Sequence, residues 1–235
     1  DKTKNVNVIR RDTYIKKLDE VFSSDKFQRL KINPINTDLQ KLRVLINNFK
    51  PFLTNKEQFK VIPIETLKRG YGIIKNHKTG FSLRPIVSSC ATLTTGVETY
   101  LQDLISPINK SCKFSVDSTL TFKNKISDFI QTDEFNSEVH EVVSYDCQSL
   151  FTSINIKRVL NFILDAIYSD TQKFFPKRTK TVKILKEIIT KQVQIPPRDD
   201  LENFFLAILT KFSTFEALNG FFRQTNGVSM GGKMS

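Results

Sequence analysis

A chain of 235 residues with 39% hydrophobic and 26% charged side chains has the composition of a folded globular protein, which excludes a disordered one. Lys and Arg outnumber Asp and Glu by 36 to 24, and the resulting charge of +12 favours polyanionic partners, nucleic acid before anionic membrane. No apolar run reaches the roughly 18 residues of a membrane span, and two His with three scattered Cys (Cys90, Cys112, Cys147) argue against a multi-histidine metal centre or a disulfide framework, and for a reduced, intracellular setting.

The opening stretch, DKTKNVNVIRRD, lacks the apolar core of a signal peptide. Residues 1–50 read as helical. Tyr14, Leu18 and Phe22 share one helix face; Leu39, Leu42, Ile46 and Phe49 share another, entered through a Thr37/Gln40 capping box and stopped near Pro51. From Leu67 the character changes to KRGYGIIKNHKTGFSLRPIVSS. Two β-prone runs, 71–74 and 81–88, flank a turn at 78–80 and carry Lys75, His77, Lys78 and Arg84 close together. Arg84 directly precedes Pro85, so it belongs to extended backbone. A lysine point charge beside an arginine fork suits phosphate, although a basic hairpin is as a rule only a solvated surface.

A helix follows, opened by a Thr95/Glu98 capping box and showing Val97, Tyr100, Leu101, Leu104 and Ile105 on one face until Pro107. A second spans about 120–130. The next stretch, EVVSYDCQSLFTSI (141–154), organises the reading. A β-rich run over 139–145 ends on Asp146, where a hard cation such as Mg²⁺ can sit, with a neighbouring carbonyl as second ligand. Phe151 follows as an aromatic floor, and Asn155 as the cap of a helix bearing Leu160, Ile163, Leu164 and Ile167. Residues 171–180 form a basic link, 182–193 return to helical periodicity, and 201–212 read as a last helix with Asp199 and Asp200 as first-turn acids. A hairpin turning at Asn219-Gly220 runs into QTNGVSMGGKMS. Its glycines at 227, 231 and 232, in a chain with only 8, suggest tight turns or close approach of a ligand, though a flexible tail would carry them too.

Three of these stretches, in this order, resemble a reverse transcriptase, most closely the Penelope-like retroelement family, over roughly residues 60–235. YGIIKNHKTGFSLRPIVSS is similar to the family's fingers segment, VVSYDCQSLFTSI to its motif A, and FFRQTNGVSMGGKMS to its motif B. The resemblance implies an α/β (α+β) right-hand palm with helical fingers and a small, mainly antiparallel sheet. Residues 1–55 would be a helical extension, 56–138 fingers and 139–235 palm. It implies that Asp146, with the carbonyl of Cys147, holds Mg²⁺ or Mn²⁺ for two-metal phosphoryl transfer. Arg84 with Lys75 or Lys78 would neutralise the triphosphate, Phe151 would exclude a ribose 2′-hydroxyl, and Gln224, Gly227, Met230 and Gly231 would line the sugar and template side. Its partners would be RNA template, DNA primer and dNTP, with no membrane, and its location nuclear if it acts as a retroelement enzyme.

One departure bears on activity. The family's second acidic motif, an Asp-Asp pair after motif B, does not occur before Ser235, nor does a thumb. The expectation is therefore a fingers-and-palm portion of an RNA-directed DNA polymerase, inactive without the missing C-terminal portion. The alternative is a nucleic-acid-binding module that kept the fold without the chemistry. An RNA-dependent RNA polymerase is disfavoured by Phe151, since such an enzyme must admit the 2′-hydroxyl.

Overall fold

The computed structural model of the chain describes residues 8–75, 82–111, 116, 118–141, 143–145, 150–176, 178–184 and 187–234. The strands are β1 (Phe27–Leu30), β2 (Lys68–Ile74), β3 (Leu83–Ser88), β4 (Thr179–Ile184), β5 (Glu187–Gln192), β6 (Thr214–Ala217) and β7 (Gly220–Gln224). Five of them form one sheet in the order β1-β7-β6-β2-β3, antiparallel throughout except where β2 runs parallel to β6. The fold is thus mixed α/β with a small, mostly antiparallel sheet, as the sequence leads one to expect.

Helix α1 (Arg11–Phe22) lies on one face of this sheet, burying Leu18 and Phe22 among Leu83, Val87, Phe215 and Phe222. Four phenylalanines lock the contact: the Phe22 ring sits 5.0 Å from Phe215, 5.1 Å from Phe27 and 5.5 Å from Phe222. Tyr14 adds a polar tie. Its hydroxyl accepts from the Gly72 amide at 2.9 Å and donates to the Gly72 carbonyl at 3.2 Å. Gly72 faces Pro85 in a non-hydrogen-bonded pair, so its N–H and C=O point away from β3, and on that side β6 reaches only Lys68 and Arg69. Residues 8–30, expected to be helical throughout, therefore contribute an edge strand as well as a covering helix to the sheet.

The larger core is helical. It joins α2 (Ile35–Phe49), α4 (Thr95–Ser111), α7 (Ile156–Ser169) and α9 (Arg198–Leu206), with Phe49 stacked on Phe204 at 4.1 Å. The faces are those of the sequence pattern: Leu39, Leu42, Ile46 and Phe49 from α2, and Leu160, Leu164 and Ile167 from α7. Asn155 caps α7, accepting from the Arg158 amide at 3.1 Å. Asp38 on α2 accepts from Thr214 on β6 at 2.8 Å, tying this core to the sheet.

Several local expectations are corrected. Helix α2 begins before Thr37, because Pro34 already has helical backbone and Asn33 accepts from the Ile35 amide at 3.0 Å. Helix α4 continues past Pro107 to Ser111, its apolar face being anchored up to Leu104. Residues 182–193 are not a helix but belong to the hairpin β4–β5, whose Ile188, Ile189 and Thr190 favour extended backbone. The turn of the β6–β7 hairpin falls one residue earlier than expected. Leu218 (φ 51°) and Asn219 (φ 55°) are its centre, and Ala217 pairs with Gly220. A Cβ on Gly220 would lie 3.3 Å from the Arg29 guanidinium, which covers the Phe222 ring, so a side chain there would only push the arginine aside slightly.

Candidate functional site

Asp146, Cys147 and Lys78, and His77 beside Lys78, lie outside the described residues. The run leading to Asp146 does not form the expected buried strand at the residues described. Val139, Val143 and Tyr145 are 75%, 59% and 90% exposed. The Val139 and His140 amides both turn onto the Asn136 carbonyl, at 3.1 and 2.8 Å, so no sheet neighbour receives them. His140 closes this turn, its Nδ1 accepting from the Asn136 amide while the imidazole packs on Phe129 and Phe135. The sheet edge beside β3 is also taken. There the Val87 amide donates to the Met230 carbonyl at 2.8 Å, and the Ser89 amide to that of Gly231 at 3.4 Å.

That edge is where the remaining candidates meet. The loop after β7 first crosses α6 (Leu150–Ser153): the Val228 amide donates to the Phe151 carbonyl at 2.8 Å. Gly227 has φ 65°, and a Cβ on it would stand 2.1 Å from that same oxygen, so only glycine fits. Four residues on, the loop lies along β3, where a Cβ on Gly231 (φ 102°) would meet Ile86 at 3.0 Å and the Val87 carbonyl at 3.1 Å. Strand alternation places Arg84 on the same face as Ile86, half-buried. Lys75 extends the β2–β3 ladder by one bond, its amide donating to the Ser82 carbonyl at 2.9 Å. Phe151, Arg84, Gly227, Met230 and Gly231 thus fall along one continuous path from α6 to β3.

Gln224 is buried with both ends of its amide engaged: Nε2 donates to the Asn226 carbonyl at 2.8 Å, and Oε1 accepts from Ser229 at 2.9 Å. It shapes the loop from within. Ser213 anchors its backbone, taking the Gln224 amide at 3.2 Å and donating its hydroxyl to the Gln224 carbonyl at 2.9 Å.

Two features escaped the sequence reading. Lys26, between α1 and β1, donates from Nζ to the Thr152 hydroxyl at 3.3 Å, while its carbonyl accepts from the Thr225 amide at 2.9 Å. It sets a cation next to Phe151, and no motif or periodicity marked it. The second is Glu98. Far from closing a capping box, its buried carboxylate accepts from Lys68 Nζ at 2.7 Å, from Thr94 at 2.6 Å and from the Lys233 amide at 3.1 Å. Burial pushes its pKa up, but the Lys68 charge and these donors outweigh that, and the pKa ends below its ordinary value. The ion pair joins β2, α4 and the end of the glycine-rich loop. The only sequence signal was a Glu on the apolar side of α4.

Among the described residues no group of three or more His, Cys, Asp or Glu is gathered as a metal would need, and no helix is long and apolar enough to cross a membrane. The first-turn acids Asp199 and Asp200 sit on α9, as expected. In comparisons with known proteins, no family model, no curated sequence and no solved structure matches this chain.

Proposed function

We propose that this chain is the nucleotide- and template-binding part of an RNA-directed DNA polymerase, with fingers at 56–138 and palm at 139–235. The observation that carries the reading is convergence: three stretches remote in sequence, around Arg84, Phe151 and Gly227–Gly231, are joined by the Val228–Phe151 and Val87–Met230 backbone bonds. A plain flexible tail would have no reason to hold glycines against two separate backbones.

In this reading Arg84 offers a fork to the triphosphate, with Lys75 nearby on the paired strand. Phe151 presents its ring to the sugar, where a 2′-hydroxyl would collide. Gln224 works indirectly by fixing the loop that carries Gly227 and Met230. Mg²⁺ or Mn²⁺ at Asp146 would supply the charge clamp of phosphoryl transfer. The basic excess would follow the phosphates of an RNA template and DNA primer.

The second reading, a binding module without polymerisation, draws on one observation: residues 143–145 form no strand to fix Asp146. A titration with an RNA–DNA hybrid, with and without dNTP and Mg²⁺, separates the two. Binding strengthened by dNTP and weakened by Arg84→Ala supports the polymerase part. Binding indifferent to dNTP sinks it in favour of the module.

A further inference from the structure

A groove of about 420 Å³ opens between α2 and the short helix α3 (Asn55–Lys60), flanking the buried face of α2, whose Ile46 forms part of its lining. Arg43 and Asn47 on α2 and Lys50 at its C-cap recur at the spacing of a single stripe, the backbone positions of the two cations about 10.5 Å apart along the axis. Facing them are Gln58, Phe59 and Ile62. Phe59 is 76% exposed and Ile62 57%, a large apolar surface left open directly beside cations and amides. Arg43 pairs with exposed Glu65 at 2.9 Å, whereas the Asn47 and Lys50 side chains make no hydrogen bond to the other described residues.

The wall that carries Phe59 is rigid. Thr54 and Glu57 form a reciprocal capping box at the start of α3, and Arg178 grips the Glu57 carboxylate. Asn55 locks to the Thr181 backbone of β4 in both directions, at 2.8 and 3.0 Å. These ties hold the helix that presents the exposed ring and so preorganise its backbone for a partner.

We infer that this groove binds single-stranded polynucleotide. Its chemistry suits that ligand: an exposed ring on which a base stacks, the Asn47 amide for a base edge, and the Lys50 cation for phosphate, with Arg43 sharing its charge with Glu65. A duplex hides its base faces and gains only from the cations. The net charge of +12 supplies the complementary long-range field. The inference stands apart from the polymerase reading, since it needs neither a nucleotide nor a metal.

The test is fluorescence anisotropy on the full chain with labelled uridylate and deoxyuridylate homopolymers and a duplex, over a salt series, in chelator and without dNTP. The expected result is preference for single strands, a roughly tenfold loss in Phe59→Ala, and a salt dependence shallower by about one ion in Lys50→Glu. Lys16→Glu, the same charge change on exposed α1, should lose less. Equal binding of both homopolymers means that the groove ignores the sugar, and preference for uridylate means that it reads the 2′-hydroxyl; either result supports the site. The inference is overturned if duplex binds as well as single strand, or if Phe59→Ala binds as wild type and Lys50→Glu falls no further than Lys16→Glu. Loss of dNTP response elsewhere would leave these outcomes unchanged.

Discussion

Gly227 rests directly on the carbonyl of Phe151. The next amide, Val228, donates to that oxygen at 2.8 Å, and a β-carbon on Gly227 would stand 2.1 Å from it. The relationship joins α6 to the glycine-rich loop through backbone alone, so nothing flexible can yield. Gly227→Ala must lift the loop off α6 and also place a side chain at φ 65°. The expected cost is about 2–3 kcal/mol, read as a lower urea midpoint. If the pocket is formed as proposed, the nucleotide response is lost before global stability is. An unchanged midpoint would mean that the loop is free of α6 in solution.

The Lys68–Glu98 pair should show the asymmetry of buried ion pairs. Glu98→Ala leaves a buried ammonium without a partner, at a cost of about 3–5 kcal/mol. Lys68→Met combined with Glu98→Leu removes both charges and should recover most of that loss. The double variant falling as far as Glu98→Ala alone would show that packing, not charge, dominates the site.

The same pair sets an acid limb. The Lys68 charge and the donors around it hold the folded Glu98 pKa below its ordinary value of about 4.5, so its stabilising contribution is fully present above that value. It is lost as pH falls below about 4.5 and through the folded pKa. Wild type should lose stability over that window relative to the charge-free double variant. Parallel pH profiles for the two proteins would contradict the assignment.

Tyr14→Phe should cost about 1–3 kcal/mol, because both backbone groups of Gly72 lose their partner while the ring stays packed. Hydrogen exchange at the Gly72 amide is the direct readout. It should speed up in the variant while amides of α7 do not.

What was legible in the sequence follows the strength of the local pattern. Helices α1, α2 and α7 showed one apolar face each at a 3.6-residue period, and β2–β3 and β6–β7 alternated beside turn residues, so packing had only to ratify them. The β4–β5 hairpin was misread because apolar residues over 182–193 also fit helical spacing; the β-branched Ile188, Ile189 and Thr190 were the discriminating signal. The run at 139–145 looks like a strand by propensity, yet the Val139 and His140 amides close a turn on the Asn136 carbonyl. Propensity cannot see which backbone partner a run will find. Lys26 and Glu98 escaped for a related reason: each acts through a partner more than twenty residues away.

Phe151→Ala tests the role proposed for this ring. The backbone of Phe151 is already used, its carbonyl holding Val228, so the substitution leaves the loop contact intact and removes only the half-buried ring. A clash is an all-or-none device: without the ring, the space that a 2′-hydroxyl needs becomes free and nothing replaces the exclusion. Competition between dNTP and the matching ribonucleotide on the hybrid-bound protein should therefore move toward parity, chiefly by tighter ribonucleotide binding. Lys26→Ala, one residue away at Thr152, should weaken both nucleotides alike, because a cation beside the site answers to phosphate and not to the sugar. Equal weakening of both sugars by Phe151→Ala would place the ring in the general architecture of α6 and withdraw it from sugar discrimination.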